Sequence, residues 1–399
     1  MNSLAVPTEQ RADGLDTLRS LAIVLVFAYH YMVFVSGAPT FGWVSEIGWV
    51  GVDLFFVLSG YLIANQIFGG LAKGRELSLK AFYARRFLRT LPNFYVVLAF
   101  YFLFPAVMGG NPLPPLWSFL TFTQNILLQP GTAFSHAWSL CIEEQFYLLL
   151  PAVALIGVRH VRSIRVGWWL LAALMLSAIA IRSALWLRYG READGAIQGY
   201  HPHIYYATWC RFDEFLPGMA LAMLKNFYPA RWARLLQWSR VTGLAALASV
   251  GVMFVLLLSF YRIDGYGYGY AMTAFGYSLL ACAFAIATLA ALSPGSLLHR
   301  VRVPGAARLA AWSYAIYLSH KPLAVILQRA LGARGIDADS AAAAVASILV
   351  CLVGGWLLYR LVETPFMKLR DRFVPTAFLA TFITLPARTA GLSRPRSPT

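Results

Sequence analysis

The sequence predicts an all-α, polytopic membrane protein with about ten transmembrane helices, and three observations predict it. Of its 399 residues, 59% are hydrophobic and only 13% are charged, which is about half the charged share of a typical soluble protein. A mean hydropathy of +0.63 leaves too little polar surface to cover a soluble globule of this size. Apolar stretches of about 16 to 23 residues recur along the chain, with basic residues grouped at alternate ends. This composition excludes disordered, coiled-coil and collagen-like proteins.

The apolar stretches predict ten helices, because about 20 apolar residues cross the roughly 30 Å of bilayer hydrocarbon. They are 18–37, 47–68, 91–108, 138–157, 166–187, 210–225, 241–260, 270–292, 309–330 and 342–362. The segment 112–130 is also apolar but opens with prolines, which interrupt a helix. We therefore expect it to form a re-entrant or interfacial piece.

Basic residues predict the orientation of these spans. The formal net charge is +16, and 25 of the 33 Lys and Arg residues fall on one side of the alternating spans. The opposite loops 38–46 and 109–137 contain none. The positive-inside rule then predicts that both termini are cytoplasmic, and it explains the basic excess without nucleic acid as a partner. Residues 1–374 are predicted to form one membrane domain, followed by a basic, disordered cytoplasmic tail at 375–399.

Cysteines and glycine-rich loops give no sign of a metal or nucleotide site. The four cysteines lie inside or next to apolar runs, and none forms a Cys-x-x-Cys pair. They are typical of small buried side chains, so neither a disulfide framework nor any metal is predicted. ATP-driven transport has no support, because the sequence has no Walker-type phosphate loop.

The first helix carries two ionisable residues, Arg19 and His30. Eleven residues make almost three helical turns, so both side chains share one face and lie roughly 16 Å apart. An ionisable side chain inside a span is a functional candidate, and a neutral imidazole can accept a proton from a hydroxyl. The alternative is a histidine that only hydrogen-bonds to a neighbouring helix.

Two adjacent glutamates, Glu143 and Glu144, enter the fourth predicted helix. Adjacent residues point about 100° apart, so we expect one of them to face a given cavity. A carboxylate here could orient an imidazole or hold the substrate that receives a transferred group.

Three arginines, Arg85, Arg86 and Arg89, precede the third predicted helix. Guanidinium groups suit bidentate binding of phosphate. The alternative is an ordinary cytoplasmic cluster of positive charge.

Other polar residues in or beside spans are candidates for substrate contact or structural support: Asp53, Arg211, Asp213 and His320. Asp53 needs a partner, because a buried carboxylate without one is costly. A local ion pair between Arg211 and Asp213 is the structural alternative.

Together these residues resemble the acyltransferase family 3, bacterial membrane enzymes that mostly O-acetylate cell-surface glycans. The matching motifs, in chain order, are Arg19 and His30, GVDLFFVLSGYLI (51–63), RRFLRTLP (85–92), WSLCIEEQFYLLLP (138–151), RFDEFLPGMALA (211–222), SYAIYLSH (313–320) and ETP (363–365). Any one motif is weak, but their presence in order on ten apolar spans is specific.

The resemblance implies a multi-pass protein of the bacterial cytoplasmic membrane with a cytoplasmic acyl-CoA donor, usually acetyl-CoA. It implies a carbohydrate acceptor hydroxyl presented from the other side, and it makes glycan-assembly proteins candidate partners. The acceptor itself stays open among lipopolysaccharide, exopolysaccharide, peptidoglycan and a small glycosylated metabolite.

The resemblance also assigns roles to residues. It implies that His30 is catalytic, with Arg19 as its partner. It also implies that Arg19 and the arginine motif, Arg85, Arg86 and Arg89, bind the phosphates of CoA. Glu143 matches the acid of the family's WSL motif and Glu144 is its neighbour, so both are expected at the catalytic centre. The acid that orients His30 stays open, with Glu143 first and Asp53 or Asp213 next. An acyl-histidine intermediate is also left open.

A different class fits the same pattern of spans. A transporter or flippase of a glycan or lipid-linked substrate would also have ten spans with buried charges. It predicts no turnover of a thioester.

Overall fold

Helices form nearly all of the regular structure in the computed structural model, which describes residues 13–160, 163–191, 196–263 and 267–379. In chain order the helices are α1 (Asp13–Tyr31), α2 (Trp43–Ile47), α3 (Val50–Leu71), α4 (Leu79–Leu103), α5 (Leu116–Leu120), α6 (Trp138–His160), α7 (Ile164–Tyr189), α8 (Ala196–Tyr200), α9 (Thr208–Arg211), α10 (Leu216–Phe227), α11 (Pro229–Gln237), α12 (Ser239–Phe260), α13 (Tyr277–Leu292), α14 (Leu297–Arg300), α15 (Ala306–Gly332), α16 (Ala341–Leu358) and α17 (Thr364–Phe373). The prediction of an all-α protein is confirmed.

Seven helical segments in the described residues are long and apolar enough to cross a membrane. They are Asp13–Ser36, Val50–Leu71, Ser135–Gly157, Ile164–Tyr189, Ser239–Phe260, Met272–Leu292 and Ala341–Phe373. The chain is therefore a polytopic membrane protein. Two more predicted spans coincide with α4 and α15, which are long but more polar because each carries several basic residues.

The predicted span 210–225 is a broken helix rather than a continuous one. α9 ends at Arg211, one 3₁₀ turn covers Phe212–Phe215, and α10 follows. The break coincides with the charged sequence Arg-Phe-Asp-Glu, whose side chains bind neighbouring helices. Asp213, Glu214 and Phe215 at this break are buried in protein, where neighbouring groups can satisfy non-helical backbone.

Other irregular turns occur next to the candidate residues. A π-helical turn, Met32–Ser36, extends α1 beyond His30, and a 3₁₀ turn, Ser135–Ala137, precedes α6. Phe134, just before that turn, adopts a left-handed conformation (φ +56°) and is buried against the ring of Tyr101. The segment 112–130 contains the short helix α5 between turns.

The centre of the molecule is built on α1 and α3. α1 packs against α3, α13 and α15, while α3 packs along α10. A Cβ added at Gly60 would collide with the backbone carbonyl of Phe215, and one at Gly218 with that of Val57. Glycine at these two positions lets the backbones of α3 and α10 approach closely.

Four short strands complete the described structure: β1 (Glu76–Leu77), β2 (Arg262–Ile263), β3 (Gly267–Tyr268) and β4 (Phe378–Leu379). β1 pairs antiparallel with β4, and β2 with β3. Residues 375–379 are thus the part of the predicted tail that the structure describes, and β4 lies within them. Residues 380–399 lie outside the described residues.

Candidate active site

A cavity of about 760 Å³ lies between α1, α3, α4, α6, α10 and α15. Six cationic side chains line it: Arg19, Lys73, Arg75, Arg86, Arg89 and Lys225. Glu143 is the one carboxylate among its lining residues in the described part of the chain. The cavity therefore has a strongly positive lining, which attracts an anionic ligand.

Glu143 faces this cavity, whereas Glu144 is not among its lining residues. Ser59 Oγ donates a hydrogen bond to Glu143 Oε1 at 3.1 Å, and the Tyr147 hydroxyl donates to Ser59 Oγ at 2.9 Å. Arg86 covers the Tyr147 ring, with its Cζ 3.7 Å from the ring centroid. Glu144 lies beside Thr90 and Arg86 instead.

The three arginines of α4 do not share one environment. Arg86 and Arg89 line the cavity, but Arg85 does not. Its Nη1 donates to Val374 O at 2.9 Å, and its Nη2 forms an ion pair with Asp371 at 2.9 Å. The expectation that Arg85 shares the site of its neighbours is therefore corrected, because its side chain turns toward α17.

Tyr317 and Ser139 line the cavity on the side of the buried histidines, which we call its inner end. The Tyr317 hydroxyl donates to the backbone carbonyl of His136 at 2.6 Å, so Ser139 Oγ, 2.6 Å away, donates to Tyr317. The Tyr317 ring is also 6.4 Å from the His30 ring, centroid to centroid. Tyr317 thus lies between the cavity and a group of histidines.

Three buried histidines, His30, His136 and His320, form what we call the histidine cluster. The rings of His30 and His320 are parallel, 5.0 Å apart, and His30 Nδ1 is 2.7 Å from His320 Nε2. The His136 ring is edge-on to both, at 6.0 Å from His30 and 5.5 Å from His320. The fold thus joins residues 290 positions apart in the sequence.

The hydrogen bonds assign the tautomers of His30 and His320. His320 Nδ1 lies 3.0 Å from the carbonyl oxygen of Ile316, which only accepts, so Nδ1 carries the proton. Nε2 of the neutral His320 ring then accepts, and His30 Nδ1 donates to it. The lone pair of His30 is consequently on Nε2, which has no partner among the described residues. His30 therefore hydrogen-bonds to the neighbouring helix α15, as the structural alternative expected, and it also keeps a basic Nε2 that is free to accept a proton.

His136 owes its position to a proline in α15. Pro322 has no N–H, so the carbonyl of Leu318, four residues earlier, lacks its helical partner. His136 Nε2 lies 3.3 Å from that carbonyl and donates to it. His136 Nδ1 is left buried without a hydrogen-bond partner.

No acid contacts His30 among the described residues, contrary to the expectation for Glu143, Asp53 or Asp213. Glu143 binds Ser59 in the cavity, and both aspartates are ion-paired elsewhere. The group that orients His30 is His320, which the sequence suggested only as support.

The two aspartates belong to an arginine network of Asp53, Arg182, Arg211, Asp213 and Glu214, all fully buried. Arg211 pairs with Asp53 (3.2 Å) and with Glu214, not with Asp213. Asp213 instead receives two hydrogen bonds from Arg182, at 2.7 and 3.0 Å, and one from Ser278 at 2.5 Å. The structural alternative, a local pair between Arg211 and Asp213, is therefore not formed, and each residue is paired with another partner.

Sequence reasoning missed Arg182, Tyr317 and the place of His136. Arg182 had a usable signal, because it is a lone charge in the middle of an apolar run. Tyr317 and His136 had none, since their importance comes from contacts between α6 and α15. In the described residues, no group of three His, Cys, Asp or Glu side chains could hold a metal ion.

Comparison with known sequences identifies the family. The profile of the acyltransferase 3 family, described as an acyltransferase domain, matches residues 13–360. The chain belongs to this family. The histidine cluster lies within the matched region, and so do all the residues that line the cation-lined cavity except Phe378.

Three relatives illustrate the family. The chain is 28% identical over 375 residues to the peptidoglycan O-acetyltransferase OatA of Listeria monocytogenes, covering 89% of this chain and 56% of that protein. It is 26% identical over 379 residues to the O-acetyltransferase OatA of Staphylococcus aureus, covering 89% and 57%. It is 26% identical over 396 residues to the acyltransferase MdmB of Streptomyces mycarofaciens, covering 93% and 95%.

The chain thus spans little more than half the length of the two OatA proteins. No solved structure matches it.

Proposed function

We propose that the protein transfers an acetyl group from cytoplasmic acetyl-CoA to a hydroxyl of a cell-surface or lipid-linked carbohydrate. The observation that carries the proposal is the adjacency of the cation-lined cavity to His30, whose Nε2 has a free lone pair. Two relatives are named as O-acetyltransferases, which supports acetyl as the transferred group. At 28% and 26% identity these relatives do not identify the particular acceptor, so the proposed acceptor is a carbohydrate.

The proposal includes ten spans in the bacterial cytoplasmic membrane, with both termini in the cytoplasm. α4, α15 and the broken helix 208–227 would add three spans to the seven apolar ones. Arg86 and Arg89 of α4 line the cavity, and Lys321 of α15 is buried beside Ser135 and Phe34, so these three charges avoid lipid. With ten spans, the basic loops fall on one side and satisfy the positive-inside rule.

The donor would bind with its phosphates among Arg19, Arg86 and Arg89 and its thioester near Tyr317. Arginine and lysine side chains bind phosphate through charge-assisted hydrogen bonds, and the cavity supplies six cations. The Tyr317 ring lies between this cavity and His30, so an acetyl group at the inner end is close to the base. Arg85 would stabilise the contact with α17 and not touch the donor.

The chemistry follows from the tautomer of His30. The acceptor hydroxyl gives its proton to His30 Nε2 while its oxygen attacks the thioester carbonyl carbon. The tetrahedral intermediate collapses, the C–S bond breaks, and the leaving CoA sulfur takes the proton back from His30. His320 holds His30 Nδ1–H throughout, as the third member of a catalytic triad orients its histidine.

The test uses the purified protein in proteoliposomes that contain a membrane glycolipid extract from the source bacterium. Acetyl-CoA labelled in the acetyl group is supplied on one face, and both free CoA and labelled glycolipid are measured. Transfer of the label with equimolar CoA release is the expected result. Movement of glycolipid across the bilayer without CoA release would replace the proposal with a transporter or flippase.

A further inference from the structure

Lys321 is a buried cation without an anionic partner. Three cationic side chains are buried in the described residues, and two of them, Arg182 and Arg211, are ion-paired with carboxylates. Lys321 has no such pair. Its Nζ donates to Ser135 Oγ at 3.0 Å and lies 3.8 Å from the centroid of the Phe34 ring. An unpaired charge is costly inside a membrane and marks a functional site by default.

The position of Lys321 connects it to the histidine cluster. It directly follows His320 in α15, and its partner Ser135 directly precedes His136. Phe34, whose ring faces the ammonium, lies 5.2 Å from the His30 ring, centroid to centroid. Lys321 is therefore next to the proposed base.

Lys321 is also on the opposite side from the donor. It is not among the residues that line the cation-rich cavity. Phe34 follows α1, and Ser135 lies two residues before the end of the loop 109–137, which contains no Lys or Arg and lies outside the cytoplasm in the proposed topology. The two residues that contact the ammonium thus lie toward the side from which the acceptor would enter in the proposed topology.

We infer that the acceptor is an acidic carbohydrate whose carboxylate or phosphate pairs with Lys321 while its hydroxyl lies at His30 Nε2. The inference rests on the proposed function and names its substrate class. An ammonium beside the base gains an ion pair only when an anionic acceptor is bound, so acidic acceptors are selected over neutral ones. The donor cannot supply this anion, because its phosphates bind in the cavity behind Tyr317.

The test follows the label from acetyl-CoA into the glycolipid extract and separates the products by anion exchange. The labelled product is expected to be retained by the resin. Methyl esterification of the extract before the reaction removes carboxylates, and hydrofluoric acid removes phosphate esters. One of these treatments is expected to lower the initial rate of labelling about tenfold, which is the usual effect of losing one charge-assisted hydrogen bond. The treatment that lowers the rate shows whether the anion is a carboxylate or a phosphate.

Variants then connect this selectivity to the lysine. Lys321→Met should lower kcat/KM for the acidic acceptor about tenfold and leave the rate with the esterified or dephosphorylated acceptor unchanged. Lys321→Arg should keep part of the preference. Lys368→Met, which changes an exposed lysine of α17, is the matched control and should behave as wild type.

Four results would overturn the inference. A neutral labelled product, or equal labelling of treated and untreated extract by the wild-type protein, contradicts it without any variant and leaves the proposed function standing. An equal loss of kcat/KM on both acceptors in Lys321→Met would instead indicate that the lysine stabilises the negatively charged oxygen of the tetrahedral intermediate. Absence of labelling in every extract would overturn the proposed function and the inference together.

Discussion

The histidine cluster and the arginine network are both buried polar groups of a membrane protein, but they satisfy their hydrogen bonds differently. In the network, Arg182 donates to Asp213, Ser278 and two backbone carbonyls, and Arg211 donates to two carboxylates and the carbonyl of Tyr205. In the cluster, His30 Nε2 and His136 Nδ1 have no partner among the described residues. Asp53 Oδ2 is the one comparable oxygen without a partner in the network.

The difference separates a structural role from a chemical one. A buried charge that is satisfied by hydrogen bonds and ion pairs within the protein fixes the packing of helices. The arginine network joins α3, α7, α13 and the broken helix in this way. A nitrogen with a free lone pair near the cation-lined cavity is available to take a proton. Burial alone would not distinguish the two groups, because both are almost wholly buried.

The largest expected effect is that of His30→Gln on turnover. This variant removes the free imidazole nitrogen, so acetyl transfer should fall at least about 100-fold, the lower range for loss of a general base. Affinity for acetyl-CoA and the melting temperature should stay near wild type. Labelled transfer and donor binding, measured on the same sample, check this prediction. Full turnover in the variant would remove His30 as the base.

Arg182→Met should act on stability instead of chemistry. It leaves the buried carboxylate of Asp213 without its ion-pair partner, which typically costs about 3–5 kcal/mol of unfolding free energy. The double variant Arg182→Met/Asp213→Leu should recover part of that loss, because no uncompensated charge remains. Thermal unfolding in detergent measures both. A stable single variant with a large loss of turnover would place the network in the catalytic machinery.

His320→Ala should lower kcat about 10- to 100-fold, as expected for removal of a group that orients a functional histidine. His30 Nδ1–H loses its acceptor, so the proton can move to Nε2 and block the base. KM for acetyl-CoA should not change, and His320→Gln, whose amide oxygen can accept the same hydrogen bond, should restore part of kcat. If His320 were purely structural, His320→Ala would instead lower the melting temperature, and His320→Gln would not restore kcat.

The smallest effect concerns the arginines one helical turn apart on α4. Arg89→Gln should raise KM for acetyl-CoA about tenfold, because it removes one charge-assisted contact to phosphate. Arg85→Gln is the matched control, since its side chain binds Asp371 and Val374. Initial rates at varied acetyl-CoA check this difference. Equal increases for both variants would show that general positive charge, not the cavity, binds the donor.

Sequence patterns predicted the apolar helices because their signal is local. The predicted span 241–260, for example, differs from α12 (Ser239–Phe260) by two residues at its start. The start of α4 was missed by twelve residues, since its first three turns are basic and carry no hydropathy signal. The broken helix was missed for a related reason, because its charges are compensated only by partners on other helices.

The candidate site was predictable as a set of residues but not as a set of contacts. The sequence singled out His30 and His320, yet their hydrogen bond depends on how α1 packs against α15. It left the partner of His30 open among three acids, because carboxylates are common partners of histidine and spacing cannot exclude them. Pro322 lies inside the predicted span 309–330, so a free carbonyl at Leu318 followed from the sequence. Its partner His136 did not, because that contact depends on how the turn before α6 packs against α15.

The most direct test of the central claim measures labelled acetyl transfer in nanodiscs by wild type, His30→Gln and Arg182→Met/Asp213→Leu at equal amounts of folded protein. The account predicts that the first variant binds acetyl-CoA but transfers at least about 100-fold less acetyl, while the second transfers at a rate near wild type. Wild-type turnover in His30→Gln, or loss of turnover in the folded network variant, would contradict the division between a chemical cluster and a structural network.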